Sequence, residues 1–308
     1  MKAAIVGDGA WGRALARRMA SNGVAVTLVG LAASRRRLPA GLSHTVDLAG
    51  ALGAHEVILV AVPSVALEGL FTTAAPHLEG HHRVATTARG LAPGHPPRRA
   101  SEVLGRLTCV RQSAVLAGAA DAAALEADHP AALVVGSAYP AFARELQSAL
   151  AGPALRVYTN GDPAGVELSN TLAAVLAVAL GAARALGVGA ASEATALTRA
   201  LAEMERLVQG LGGQAGTAYG LAGLGVLTDL VFSGDGSAFR AGAALVRGDL
   251  DAARQDVELI DAATNLAARA RTAALRAPMI EAIAAMLDGH LPARDAMTML
   301  MARAARAE

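Results

Sequence analysis

With 308 residues, the chain is long enough for two domains that each bury a core, which excludes a small peptide-like scaffold. Its 27 basic and 26 acidic residues leave a net charge of +1, so no global electrostatic footprint points to nucleic acid or to an anionic membrane as a partner. The single cysteine, Cys109, excludes an intramolecular disulfide and a cysteine-based metal cluster. Set in the run Leu107-Thr108-Cys109, it reads as a core residue of a protein in a reducing compartment.

Residues 3–6 read as a strand, and residues 11–22 as a helix that ends at Gly23, a natural C-cap. Residues 24–29 give a second strand. Residues 57–62 form an unbroken apolar run closed by Pro63-Ser64, as expected of a strand buried on both faces. Further strands are predicted at 83–87, 113–116, 133–135 and 155–158, with a helix at 141–150. This alternation implies βαβ units and a parallel sheet.

After the turn-forming cluster Thr159-Asn160-Gly161-Asp162-Pro163, strand signals vanish and helical periodicity takes over. Helices are predicted at 165–186, at 192–211, and after Ser237 and Leu250. The expected fold class is therefore α/β, a doubly wound parallel sheet in residues 1–160 followed by an all-helical domain in residues 161–308. The apolar run 172–180 is interrupted at Arg184, short of the roughly 20 residues a membrane span needs. The chain runs from Met1 into a glycine motif with no room for a signal peptide, so a cytoplasmic protein is expected. None of the eight histidines has metal-ligand spacing, and His81-His82 are expected to face solvent. Thr228-Asp229 and Ser233-Gly234-Asp235-Gly236 read as a loop.

The strand at 3–6 leads into Gly7-Asp8-Gly9-Ala10-Trp11-Gly12, and a helix follows. In that context the glycines allow a tight turn and a close approach to a pyrophosphate, whose charge faces the helix N-terminus. Gly7, Gly9, Ala10, Trp11 and Gly12 are thus candidates to bind a nicotinamide dinucleotide. An acidic residue at the end of the second strand would select NAD, but Leu28-Val29-Gly30-Leu31 has none. Ser34-Arg35-Arg36-Arg37 follows, and Arg35 and Arg36 suit the extra phosphate of NADP. The alternatives are that these arginines only solvate a surface loop and that NAD is used.

The glycine turn with Ala14-Leu15-Ala16 resembles the start of the bacterial-type NAD(P)-dependent glycerol-3-phosphate dehydrogenases. Ala61-Val62-Pro63-Ser64, Ala117-Gly118, Gly165-Val166-Glu167-Leu168, Gly220-Leu221-Ala222-Gly223-Leu224-Gly225, Val257-Glu258 and Pro278-Met279 are similar to further family segments, in order along the chain. The resemblance implies a Rossmann domain packed on a helical domain like that of the 6-phosphogluconate dehydrogenases, with substrate in the cleft between them. It also implies a homodimer, and cofactor contacts from Pro63, Arg240 and Glu258. The implied reaction interconverts dihydroxyacetone phosphate and glycerol 3-phosphate.

The residues on the substrate side depart from the family. Its catalytic lysine, in a GALKN-like segment, falls on Ala173, and the asparagine beside it on Ala174. The lysine of its TKG segment is Arg89, the aspartate closing GLAGLGD is Val226, and an arginine-asparagine pair falls on Ser237 and Ala238. Glu167, Asn170 and Thr171, at i, i+3 and i+4, make one polar helix face that offers a replacement. Arg89, Glu167 and Asn170 are therefore the candidate catalytic residues. The expected protein is an NADP-dependent reductase of a small carbonyl compound other than dihydroxyacetone phosphate. The alternatives are a non-catalytic NADP-binding paralogue and an authentic glycerol-3-phosphate dehydrogenase with a relocated catalytic group.

Overall fold

A computed structural model describes residues 1–302 apart from 33–39 and 235. The N-terminal part alternates β1 (Lys2–Val6), α1 (Ala10–Ser21), β2 (Ala25–Val29), β3 (Leu42–Thr45), α2 (Leu48–Ala54), β4 (Val57–Val60), α3 (Leu67–Ala74) and β5 (Arg83–Thr86). It continues with α4 (Ala100–Leu107), β6 (Gln112–Ala117), α5 (Ala122–Glu126), β7 (Ala131–Gly136), α6 (Pro140–Leu150) and β8 (Leu155–Asn160). The strands form one sheet in the order β3-β2-β1-β4-β5-β6-β7-β8. Every pairing is parallel except β6 with β7.

Strand pleating sends Ala3 and Ile5 into the core under α1 and α6, while Ala4 and Val6 enter the core under α2, α3 and α4. That explains why β1 and β4 are apolar at consecutive positions. The chain leaves β1 toward β2 on one side and returns to β4 on the other. The crevice beyond the C-terminal ends of β1 and β4 is thus the switch point where open α/β sheets bind ligands.

From Pro163 onward the described residues contain no strand and form the helices α7 (Pro163–Ala185), α8 (Ala190–Gly210), α9 (Val226–Ser233), α10 (Ser237–Val246), α11 (Leu250–Ala253), α12 (Val257–Thr272), α13 (Pro278–Leu287) and α14 (Ala293–Met301). Asp162 caps α7, accepting from the Gly165 N–H at 2.8 Å, and Pro163 sits at its first position. α7 is the axis of this half, long and apolar enough to cross a membrane by length and composition, with 83% of that stretch buried inside the protein. Its neighbour α10 lies so close that a Cβ on Gly242 would stand 2.0 Å from the Val178 carbonyl oxygen.

Three sequence expectations are corrected here. Cys109 is exposed, because it lies beyond the end of α4 in the connection to β6. His82 is buried, its Nε2 3.1 Å from the Leu52 carbonyl oxygen and its Nδ1 accepting the Glu79 N–H at 2.7 Å. The turn turns its ring inward, leaving His81 outside, stacked on it at 4.2 Å. Thr228 and Asp229 belong to α9, because the Gly220–Gly225 segment coils as a π-type turn directly into that helix.

Candidate functional site

The glycine turn spans the switch point. Gly7 has φ +115°, and a Cβ there would meet the Ala61 carbonyl oxygen beyond β4 at 2.3 Å. On Gly12 a Cβ would lie 1.9 Å from the Gly7 oxygen, so this glycine lets α1 close against the turn. Gly9 differs from both, with no neighbouring atom within 4 Å of its missing side chain. It is also the N-cap of α1, where no side chain bonds the free N–H groups and no acid occupies the first turn. Open space beside unpaired N–H groups at the positive end of a helix dipole fits a pyrophosphate. Ala10 is exposed in the first turn of α1, and Trp11 packs half-buried on the edge of the sheet core.

A second cluster joins the sheet to the helices. Pro63 is exposed at the end of β4, and the next residue, Ser64, gives its N–H to Glu258 Oε1 at 3.1 Å. A Cβ on Gly90 would meet Ser64 Oγ at 2.5 Å and Glu258 Cγ at 3.5 Å, so the three segments converge. Arg89 projects from this junction into solvent. Ser64 Oγ is buried and has no hydrogen-bond partner, which leaves a hydroxyl beside Glu258 for a ligand.

The Arg89 loop is strapped to α12. Asn265 donates to the Leu91 carbonyl at 3.1 Å, and Arg269 donates to the Pro97 carbonyl at 2.6 Å. Arg269 also grips Glu102 with two bonds of 2.8 and 2.7 Å. Burial opposes ionisation of Glu102, but the Arg269 hydrogen bond, the Arg99 N–H and the two guanidinium charges outweigh it and hold its pKa at about 2.

On α7, Glu167 is buried and ties that helix to α4, accepting from Ser101 N at 3.2 Å and from Ser101 Oγ at 2.6 Å. Burial raises its pKa against the opposing pull of Arg99 and these donors. Thr171 is spent within the helix on the Glu167 carbonyl at 3.0 Å, and Asn170 is buried one position before it. Ala173 has no solvent exposure and is part of the helical core. Val226 and Ala238 are buried as well, while Ser237 bonds Asp256 at the start of α12 at 2.7 Å. Arg240 is exposed on α10. Arg35 and Arg36 lie outside the described residues.

Sequence reasoning missed Ser101, Glu102 and Arg269, which no motif singles out and which meet only through long-range packing. It also missed His44, because β3 was not expected. His44 Nε2 comes to 3.5 Å from Asp8 Oδ2 at the end of β2.

The comparisons with known proteins decide the family. Models of the N-terminus and the C-terminus of NAD-dependent glycerol-3-phosphate dehydrogenase match residues 32–143 and 162–298. The chain belongs to this family. Glycerol-3-phosphate dehydrogenase [NAD(P)+] of Trichlorobacter lovleyi is 33% identical over 98% of both chains. That of Deinococcus radiodurans is 36% identical over 99% of this chain and 96% of its own. Among solved structures, glycerol-3-phosphate dehydrogenase from Coxiella burnetii superposes with a TM-score of 0.89 at 31% identity, covering 98% of this chain and 99% of that one. A ketopantoate reductase from Ralstonia eutropha, at 16% identity and a TM-score of 0.61 over 96% of this chain and 100% of that one, shares the fold. This glycerol-3-phosphate dehydrogenase family member is thus an NAD(P)-dependent oxidoreductase by family, with a small molecule as its substrate class.

Proposed function

We propose that the protein reduces a small carbonyl compound other than dihydroxyacetone phosphate, in the cytoplasm and as a homodimer, with a nicotinamide dinucleotide as its cofactor. The observation that carries this reading is Ala173. The position that resemblance aligns with the family's catalytic lysine bears a methyl group with no solvent exposure, and the next position is Ala174. The other aligned polar positions are also changed: Val226 and Ala238 are apolar, and Ser237 is bonded to Asp256. Loss of a general acid alone lowers a rate by about 10² to 10⁴.

The bound dinucleotide supplies the hydride. The chain's own part begins at Gly9 and the first turn of α1, which receive the pyrophosphate, while Pro63, Ser64 and Glu258 line the crevice beyond it. Arg89 supplies positive charge at its mouth for an anionic group on substrate or cofactor, with Arg240 as a second candidate. Asn170 orients a carbonyl or hydroxyl. Glu167 has both carboxylate oxygens engaged by Ser101, so its contribution is to hold α4 against α7. That engagement also favours a second reading, a dinucleotide-binding protein that has lost catalysis.

Two measurements on the full chain test the proposal. Fluorescence titration with NADPH and NADH is expected to give saturable binding at micromolar concentration. Steady-state assays are expected to give negligible turnover of dihydroxyacetone phosphate and measurable turnover with some member of a panel of small ketones and aldehydes. Reduction of dihydroxyacetone phosphate at a rate ordinary for the family would overturn the altered pocket. Tight binding without turnover of any carbonyl would select the second reading. Ala173→Lys is expected to restore little activity and to lower the melting temperature, because the new ammonium starts from a fully buried position.

A further inference from the structure

We propose that Asp8, backed by His44, recognises the adenosine ribose of the dinucleotide and sets the balance between its 2′-hydroxyl and 2′-phosphate forms. This rests on the dinucleotide site above and assigns a ribose-recognising residue within it. Rossmann domains place an acid at the end of the second strand to hold the ribose diol. Here that place is Gly30, directly after β2. A Cβ built on Gly30 would stand 2.3 Å from Asp8 Oδ2 and 2.7 Å from His44 Nε2. The space into which an acidic side chain at position 30 would grow is therefore filled by a carboxylate from the neighbouring turn. The group that β2 lacks in sequence arrives from β1 in space.

The backbone fixes this arrangement. Gly7 N–H donates to the Val29 carbonyl at 2.9 Å and Gly30 N–H to the Thr45 carbonyl at 3.0 Å, so the turn, β2 and β3 meet at one point. Arg13 donates to the Asp8 carbonyl oxygen and holds the turn from the helix side. The Asp8 side chain is 40% exposed, and among the described residues no donor hydrogen-bonds its carboxylate. The His44 side chain is 7% exposed and its Nε2 has no hydrogen-bond partner. At 3.5 Å from Asp8 Oδ2 it is too long for a charge-assisted hydrogen bond, so the pair is not closed on itself. An ionised carboxylate only accepts, which suits the two hydroxyl donors of a ribose diol. A 2′-phosphate would bring like charge against it.

The test compares the unaltered protein with Asp8→Asn, which keeps the shape and removes the charge. Each is titrated with NADH and NADPH by fluorescence, and with ADP-ribose and 2′-phospho-ADP-ribose by calorimetry, so the readout is binding. Asp8→Asn is expected to weaken NADH and ADP-ribose about 10-fold or more, as loss of hydrogen bonds to a charged group does, and to leave the phosphorylated pair unchanged or tighter. Asp8→Ser provides the same comparison if the asparagine variant misfolds. Equal weakening of all four ligands, or no change in any, would overturn the inference while leaving the dinucleotide site standing. If the unaltered protein bound none of them, the cofactor site itself would fall, and the inference with it.

Discussion

Single residues in the glycine turn separate folding from binding. The three glycines do different jobs: Gly7 and Gly12 are required by close contacts with the protein itself, whereas nothing lies near the missing side chain of Gly9. Gly9→Ala is therefore expected to leave the melting temperature within a degree or two, since a cap change of this kind is worth at most about 1 kcal/mol. Dinucleotide affinity should nevertheless fall, because the added methyl group enters the open space that we assign to the pyrophosphate. Parallel thermal melts and fluorescence titrations check both halves of that statement. Glu167 offers a test of opposite character. Its folded pKa is raised above the ordinary 4.5, so its favourable contribution is full below that value and is lost as pH rises through the folded pKa. Glu167→Gln does not titrate, so the stability deficit of the variant relative to the unaltered protein should shrink as pH rises above 4.5 and through the raised pKa. Urea unfolding at a series of pH values measures it.

At the scale of elements, α7 decides the architecture of the helical half. A helix this long, predominantly apolar and buried along most of its length must be surrounded, and its small residues let its neighbours come close. Gly181 faces the Phe239 carbonyl oxygen, 2.1 Å from where a Cβ would stand, and Gly242 faces the Val178 oxygen in the same way at 2.0 Å. Both contacts are with backbone, which cannot move aside as a flexible side chain does. Gly242→Ala should consequently destabilise the protein by about 1–3 kcal/mol, as overpacking does. Denaturant unfolding would register it as a lower midpoint with an unchanged slope. The same packing explains why this helix was legible in the sequence: an apolar run of that length, capped by Asp162-Pro163, has few other structures to adopt. β3 was not legible, because Leu42-Ser43-His44-Thr45 is short, mostly polar and at the sheet edge. Its existence depends on pairing with β2, which is a tertiary fact.

Across the whole molecule, a few polar groups join the sheet to the helices. Arg269 on α12 grips Glu102 on α4, Glu258 receives the Ser64 N–H, and Glu167 holds Ser101. The folded pKa of Glu102 is depressed from 4.5 to about 2, so its contribution is present above 4.5 and is lost as pH falls from there toward 2. Its side chain is 28% exposed, and after solvent screening the loss is of the order of 2 kcal/mol. Glu102→Gln is expected to lower stability at pH 7 by about that much and to flatten the acid limb of the pH–stability curve. Thermal melts from pH 7 to pH 3 would test it, and an unchanged acid limb would show that the clamp contributes nothing.

The sequence by itself determined the α/β order, the helical second half and the glycine turn. Those features are local: an apolar strand running into glycines and a helix, and a long apolar stretch with a cap, each sit in a short stretch of chain. Tertiary structure alone decided what meets in the crevice. Ser64, Gly90 and Glu258 come from three distant segments, and Glu167 faces Ser101 across 66 residues. The neighbourhood of Asp8 changed most between the two levels. The end of β2 carries no acid in sequence, yet the carboxylate of Asp8 stands there, because parallel strands bring the turn after β1 beside the end of β2.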